Sequence, residues 1–247
     1  MKFLLSIMRL MIGTGVMVMA VLGMGLSGCA KGPEDRMEQA QVLLEEKYGE
    51  SFLVTDYGNQ VIGSGYYTVK AYAREYPELL FTVHVDDDGK HFTDNYVERR
   101  VGQKISGQVL LNLSMLHGYS YVYTQVPQAV LDITDADIPP QNYIAQNQAS
   151  LITVHLSYCP DGDTPESLYE MLTGAMRGME YVNGMLAVNI TDEKTLREIQ
   201  NYCEGTDSLD ADYNALKDRC TVLMIPIEDG KIEWTRERFS ETVQGIL

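Results

Sequence analysis

A run of apolar and small residues near the N-terminus restricts which part of this chain can form a folded domain. Lys2 and Arg9 give the start a positive charge, and the residues from Leu10 to Leu26 are apolar or small. The run contains four glycines and is shorter than the roughly 20 apolar residues that a membrane-spanning helix needs. A charged start, an apolar middle and small residues at the end are typical of a secretory signal peptide. We therefore expect residues 1–28 to be removed and the remainder to fold outside the cytoplasm.

The end of this apolar run carries a short motif around a cysteine. Leu26-Ser27-Gly28-Cys29 consists of an aliphatic residue, two small residues and a cysteine, and it resembles the lipobox of bacterial lipoproteins. The resemblance covers residues 1–29 only. It implies cleavage before Cys29 and attachment of a diacylglycerol to Cys29, with acyl chains such as palmitate that hold the protein at a membrane. It thus implies a lipoprotein of the cell envelope, anchored at the cell membrane and facing the extracytoplasmic side. From the residues themselves, Ala30-Lys31-Gly32-Pro33 among them, we expect residues 29–35 to be a short flexible tether.

The formal net charge is strongly negative, -16 at pH 7. Binding to nucleic acid requires a basic surface that matches the phosphates, so the charge argues against a nucleic-acid partner. It also disfavours a protein lying flat on an anionic lipid leaflet. We expect contact with the membrane through the lipid on Cys29, and an envelope protein or a glycan as the candidate partner.

Apolar periodicity and turn signals predict an α+β fold. In the first half, a helical stripe from Met37 to Tyr48 precedes short alternating apolar runs and the tight-turn pair Asp88-Gly89. A second helical stripe with apolar residues at every fourth position begins at Val97. The pattern predicts a helix, an antiparallel meander and a helix.

The second half mixes strands and helices without regular βαβ repetition. Thr164 before Pro165 predicts the start of a helix, and Asp229-Gly230 predicts a hairpin after the most apolar strand, residues 221–227. We therefore expect a mixed α/β second half within an overall α+β class.

A polar, proline-containing stretch between the halves is the expected domain junction. It predicts an N-terminal α+β domain of residues 36–126, a linker of residues 127–148 and a C-terminal α+β domain of residues 149–247. One larger domain remains the alternative.

Three cysteines follow the predicted anchor: Cys159, Cys203 and Cys220. None has C-x-x-C spacing, which argues against a zinc ribbon or a thioredoxin-like site. A disulfide is permitted outside the cytoplasm, and Cys203–Cys220 is the favoured pair because each borders a predicted element and the loop between them is short. The alternative is that all three are reduced and buried.

Tyrosine is unusually frequent, with 16 copies against one tryptophan. Tyr119, Tyr121 and Tyr123 alternate along a predicted strand and therefore line one of its faces. If exposed, such a face combines apolar rings with polar tips and suits a carbohydrate, peptide or protein. The alternation also fits a buried face, because tyrosine favours strands in general.

The familiar catalytic, cofactor and metal motifs are absent from the sequence. It contains no G-x-S-x-G, P-loop, G-x-G-x-x-G or H-E-x-x-H pattern. Residues 86–89, with His91 across the turn, and residues 207–214 are acidic, but Asn95 and Thr221 stand where a calcium loop needs its glutamate. We therefore expect solvated turns there, and we predict no catalytic residue, no metal and no cofactor.

These observations favour binding over catalysis. The leading hypothesis is a lipid-anchored extracytoplasmic binding or interaction module of unknown ligand. The first alternative is a cell-surface hydrolase acting on cell-wall or glycan material, which a pocket with two carboxylates, or Cys159 beside His155, would favour. The second alternative is a solute-capture protein of a transporter, although the chain is short for a two-lobed one.

Overall fold

The computed structural model describes residues 32–58, 65–113, 119–128, 132–147, 151–206 and 209–247. The predicted signal peptide and Cys29 lie outside these ranges. The chain separates into a short unit, residues 1–35, and a large unit, residues 36–247. In the short unit, the Gly32 N–H donates to the Asp35 carboxylate at 3.2 Å. None of the helices in the described ranges is long and apolar enough to cross a membrane.

The first half of the described chain is a helix, a four-stranded sheet and a second helix. In order these are α1 (Pro33–Tyr48), β1 (Phe52–Tyr57), β2 (Tyr66–Ala73), β3 (Phe81–Asp86), β4 (Phe92–Asp94) and α2 (Tyr96–Asn112). The strands are antiparallel and lie side by side in sequence order, so the predicted helix, meander and helix are confirmed.

Alternation along the strands of the first sheet determines which face is buried. On β2, Tyr67, Val69 and Ala71 are almost fully buried and belong to one hydrophobic cluster with Ala40 and Leu44 of α1. The intervening residues of β2 are more exposed. Successive side chains of a strand point to opposite faces of the sheet. Helix α1 therefore covers the face to which Tyr67, Val69 and Ala71 point.

The second half of the described chain is built around a five-stranded mixed sheet. Its elements are β5 (Tyr119–Gln125), α3 (Pro140–Asn147), β6 (Ile152–Cys159), α4 (Pro165–Ala175), β7 (Gly184–Ile190), α5 (Glu193–Glu204), α6 (Ala211–Lys217), β8 (Thr221–Glu228), β9 (Lys231–Ile232) and α7 (Arg236–Val243). The strand order is β5-β6-β7-β8-β9, and only the β6–β7 pair is parallel. The fold class is α+β, as the sequence predicts.

Helices cover both faces of this second sheet. Leu172 of α4 and Phe239 of α7 pack with Leu156 of β6 in the larger hydrophobic cluster. On the opposite face, Ile199 of α5 and Tyr213 of α6 belong to a smaller cluster. The second sheet is therefore the middle layer of three.

Helix α2 takes part in the cores of both sheets. Tyr96, its first residue, packs with Phe52 and Phe81 of the first sheet, whereas Val101 and Ile105 belong to the core of the second. The two cores are thus joined through one rigid element.

Side-chain caps and tight turns fix most element boundaries in the second half. Thr164 and Ser167 form a capping box at α4, and the Asp192, Asp210 and Thr235 side chains accept from backbone N–H groups at the starts of α5, α6 and α7. At the β8–β9 turn, Asp229 and Gly230 have φ of 46° and 68°. Positive φ at both central residues defines the hairpin turn that a D-G pair predicts.

The predicted division into residues 36–126, a linker and residues 149–247 stays a prediction. In the structure β5, which precedes the predicted linker, pairs with β6, which follows it, over residues 119–125.

Candidate functional site

The three tyrosines of β5 differ strongly in exposure. Tyr119 is 60 % exposed, Tyr121 is half-buried and Tyr123 is only 8 % exposed. Helix α5 lies over the C-terminal part of this tyrosine row, where Tyr123 packs with Ile199 and Cys203. The alternation of the sequence therefore yields a face that is open at one end and buried at the other. Its role as a binding face stays a prediction.

The buried end of the row is held by Arg99 of α2. The Arg99 guanidinium donates to the Tyr123 hydroxyl, to the Leu80 carbonyl at 3.0 Å and to the Thr206 carbonyl at 3.1 Å. It also lies 5.1 Å from the centroid of the Tyr123 ring. One cation thus connects three separate segments of the chain around this tyrosine.

Two cavities border the Arg99–Tyr123 contact. The cavity next to Tyr121 has a volume of about 180 Å³ and is also lined by Gln103, Cys203 and Glu204. The other measures about 370 Å³ and is lined among others by Glu98, Gln125 and Thr153. Both are lined by polar and apolar groups together. Such lining suits recognition of a small or extended ligand by a few directed hydrogen bonds.

A buried polar network lies beside the buried end of the tyrosine row, on the same face of the second sheet. His155 is 7 % exposed, and its Nε2 and Nδ1 atoms lie 3.1 Å from Gln125 Oε1 and 3.2 Å from the Tyr213 hydroxyl. The Asn189 amide donates to the Tyr213 hydroxyl at 3.3 Å and to Ser157 at 3.2 Å. These contacts fit a neutral ring that donates to Gln125 and accepts from Tyr213.

Burial controls the protonation of His155. Removal of the ring from water, with a smaller contribution from the positive charge of Lys217, lowers the pKa of His155 to about 4. The ring is therefore neutral near pH 7. Both of its nitrogens are engaged with Gln125 and Tyr213, and Cys159 lies opposite Tyr119 at the other end of β6. The structure does not bring Cys159 beside His155.

A third cavity lies between α4 and the β8–β9 turn. It measures about 650 Å³ and carries charges of both signs, among them Arg177, Glu180 and Lys231. Arg236 at its rim forms an ion pair with Glu170 at 2.6 Å. The groove combines Tyr169, Met176 and Ile232 with these charges, and its lining selects no single ligand chemistry.

The acidic segments that the sequence singles out lie in turns and caps. Asp86, Asp88 and His91 are exposed at the β3–β4 turn, with His91 Nδ1 3.7 Å from Asp86 and 4.0 Å from Asp88. These three could together reach one metal ion, and the prediction of no metal stays a prediction. Asp210 caps α6, whereas Asp207 lies outside the described residues.

The three cysteines that follow the predicted anchor are free thiols in the structure. Cys203 is buried between α5 and the tyrosine row, and burial raises the pKa of its thiol to about 12. Cys220 packs against the same small cluster, and Cys159 is half-buried at the end of β6. The Cys203–Cys220 disulfide stays a prediction.

Sequence reasoning missed most of the residues that surround the tyrosine row, and it named His155 only as a possible neighbour of Cys159. Arg99, His155 and Tyr213 come from three elements far apart in the chain, and no spacing relates them to one another or to Gln125 at the end of β5. One sequence signal could have pointed to Arg99. It lies in a group of charged residues near the start of α2, next to the apolar stripe, so its charge is expected close to a core.

Comparisons with known proteins give one structural relative. The chain is similar to a crystal structure of a DUF5037 family protein from Ruminococcus gnavus, with a TM-score of 0.63 and 17 % identity, over 85 % of this chain and 99 % of that one. At this identity the likeness supports the fold alone. No family model matches the chain, and no curated protein matches it.

Proposed function

We propose that this chain is a lipid-anchored extracytoplasmic binding module of the cell envelope and contacts its ligand at the open end of β5. The observation that carries this proposal is the large exposure of Tyr119, at 60 %, on a regular strand. An aromatic ring held in solvent by a strand has little conformational entropy to lose when it binds a partner.

The surroundings of Tyr119 support a ligand with both apolar and hydrogen-bonding groups. The Arg197 guanidinium lies 5.7 Å from the centroid of the Tyr119 ring and is held by Glu193. Tyr121, the next residue of the row, lines the 180 Å³ cavity with Glu204. A glycan or an envelope protein offers matching hydroxyl, amide and apolar surfaces. Neither alternative function, hydrolysis or solute capture, has a specific supporting observation among the described residues.

Lipid attachment is tested with radiolabelled palmitate in a bacterial host. We expect the full chain to incorporate label and Cys29→Ala to lose it, since the acyl chains need this thiol. Cys159→Ala is the matched control and should keep the label. Undiminished labelling of Cys29→Ala would refute the anchor.

Binding is tested by co-sedimentation of the chain from Ala30 onwards with washed cell envelopes. We expect Tyr119→Ala to weaken binding by about tenfold, the size of a typical aromatic contribution at an interface. Tyr66→Ala is the matched control, because Tyr66 is another exposed strand tyrosine, at 41 %, on the first sheet.

Protease treatment of the envelopes then distinguishes the two partner classes. Binding lost after proteolysis indicates an envelope protein, and binding retained indicates a glycan. Equal effects of Tyr119→Ala and Tyr66→Ala, or no binding by the unchanged protein, would contradict the proposal.

A further inference from the structure

Arg99 differs from the other cations of α2 in the charge of its partners. Arg100 and Lys104 both contact the carboxylate of Asp137. The half-buried Arg99 guanidinium instead donates three of its five N–H groups to one hydroxyl and two main-chain carbonyls, so each of these acceptors is neutral. No carboxylate of the described residues forms an ion pair with it. Because a guanidinium binds a carboxylate about twice as strongly as a neutral acceptor, Arg99 has affinity for an anionic group.

Arg99 lines a cavity of the size that small ligands occupy. The larger of the two cavities at Arg99 has a volume of about 370 Å³. Small-molecule sites typically measure roughly 300–1,000 Å³. The smaller cavity, of about 180 Å³, lies below this range and is lined by two carboxylates, Glu78 and Glu204. These carboxylates repel an anionic group, so a ligand anion that reaches Arg99 belongs in the larger cavity.

The lining of the larger cavity carries one charge of each sign. Glu98 lines it together with Arg99 and is only 8 % exposed, and the Tyr143 hydroxyl donates to its carboxylate at 3.0 Å. Consecutive residues of a helix point about 100° apart, so the two charges reach the cavity from different directions. The remaining residues of the lining are uncharged. A ligand that matches this cavity therefore carries one negative and one positive group.

We propose that this cavity binds a free amino acid, with the ligand carboxylate on Arg99 and the ligand ammonium next to Glu98. The formal net charge of -16 repels free anions from the protein, whereas a zwitterion has no net charge and meets no such barrier. The site is separate from the proposed contact at Tyr119, since Tyr119 and Tyr123 lie about 13 Å apart along β5. It does not rest on binding to the cell envelope.

The uncharged part of the lining determines which ligand side chain fits. Val126 and Leu151 provide apolar surface, and Gln128 and Thr153 add hydrogen-bonding groups. A charged ligand side chain would lose part of its hydration and find no opposite charge, because the two charges of the lining are used by the ligand carboxylate and ammonium. The ligand is therefore an amino acid with an uncharged side chain.

The site is tested by isothermal titration of the full chain in detergent with each neutral standard L-amino acid up to millimolar concentration. Salt at about 0.15 M screens the attraction of cationic probes to the acidic protein. We expect at least one amino acid to bind. Its methyl ester, which lacks the carboxylate, its N-acetyl derivative, which lacks the ammonium, and free glutamate and lysine should each bind at least about tenfold more weakly. No binding by any neutral amino acid, or equal binding of either derivative, would overturn the proposal.

Two variants and a control connect each ligand charge to its partner. Arg99→Gln should remove the discrimination against the methyl ester, and Glu98→Gln, whose amide oxygen still accepts from Tyr143, should remove the discrimination against the N-acetyl derivative. A general loss of structure weakens all probes alike and leaves these affinity ratios unchanged. Lys104→Gln is the control, because Lys104 is a cation of the same helix outside the cavity lining. Ratios that stay unchanged in both variants, or that Lys104→Gln alters equally, would overturn the proposal.

Tyr119→Ala distinguishes this site from the proposed contact with the envelope. It should bind the amino acid with an unchanged dissociation constant, because Tyr119 does not line the cavity. Loss of envelope binding in this variant therefore leaves the amino-acid site intact, and the two proposals succeed or fail separately. A tenfold weaker amino-acid affinity in Tyr119→Ala would overturn the assignment of the ligand to this cavity.

Discussion

At the residue scale, His155 shows how the fold determines the chemistry of a side chain. The alternation of side chains along β6 predicts which face of the strand carries the His155 ring. It does not predict that the ring is buried among polar groups, because that depends on the packing of α6 against this face. The strand and the facing direction of Tyr119, Tyr121 and Tyr123 follow from the sequence. Their different burial does not, because α5 covers one end of the row and comes from a distant part of the chain.

The pKa of His155, lowered by burial to about 4 from 6.5, makes stability depend on pH. As the pH falls below about 6.5, the unfolded chain binds a proton at this ring and the folded chain does not, so the free energy of unfolding decreases down to pH 4. The loss attributable to His155 is at most about 3 kcal/mol. Urea unfolding between pH 7 and pH 4 measures it.

His155→Gln should show a shallower acid decline, since the titrating group is gone and an amide remains in the polar pocket. His91→Gln is the control, because the His91 side chain is 78 % exposed. The carboxylates are the same in all three proteins, so their contribution to the acid decline cancels when the proteins are compared. Identical acid declines in the unchanged protein and His155→Gln would contradict the assignment.

At the element scale, boundaries with local chemical signals were the most predictable from the sequence. Thr164 before Pro165 begins α4, and Asp229-Gly230 forms the β8–β9 turn, since each feature depends on a few neighbouring residues. The contact between α2 and β5 carries no such signal. It depends on Gly102, whose missing side chain allows the helix to approach the Thr124 carbonyl.

Gly102→Ala should destabilise the protein by about 1–3 kcal/mol, because its Cβ would lie 2.6 Å from the Thr124 oxygen and force the helix away from β5. Gly107→Ala is a matched control on the same helix, since a Cβ there meets nothing within 4 Å. It should stabilise α2 by up to about 1 kcal/mol through helix propensity. Urea unfolding measures both changes, and a neutral Gly102→Ala would disprove the close contact.

At the scale of the whole molecule, the arrangement of the two sheets was the least predictable feature. The polar stretch of residues 127–148 has the composition of a linker, yet β5 before it and β6 after it are neighbours in one sheet. Sequence pattern reports local period and polarity, whereas strand pairing across such a stretch depends on contacts between distant residues. The α+β class could be predicted from the sequence because it depends only on which segments are helices and which are strands.

We expect residues 36–247 to unfold in one cooperative transition, because Tyr96 of α2 packs in the first core and Val101 in the second. Fluorescence of Trp234, the single tryptophan, follows the second sheet, and far-ultraviolet circular dichroism follows the whole chain. Coincident urea transitions are the expected result. Two separated transitions would instead support independent domains on either side of residues 127–148.

The double role of α2 also limits how the length of this chain can change. Inserting one residue within a helix rotates everything beyond it by about 100°. In α2 such an insertion after Tyr96 would turn Val101 and Ile105 away from the second sheet while Tyr96 stayed fixed in the first. Related chains should therefore keep this helix at constant length between its two cores, and vary in length elsewhere.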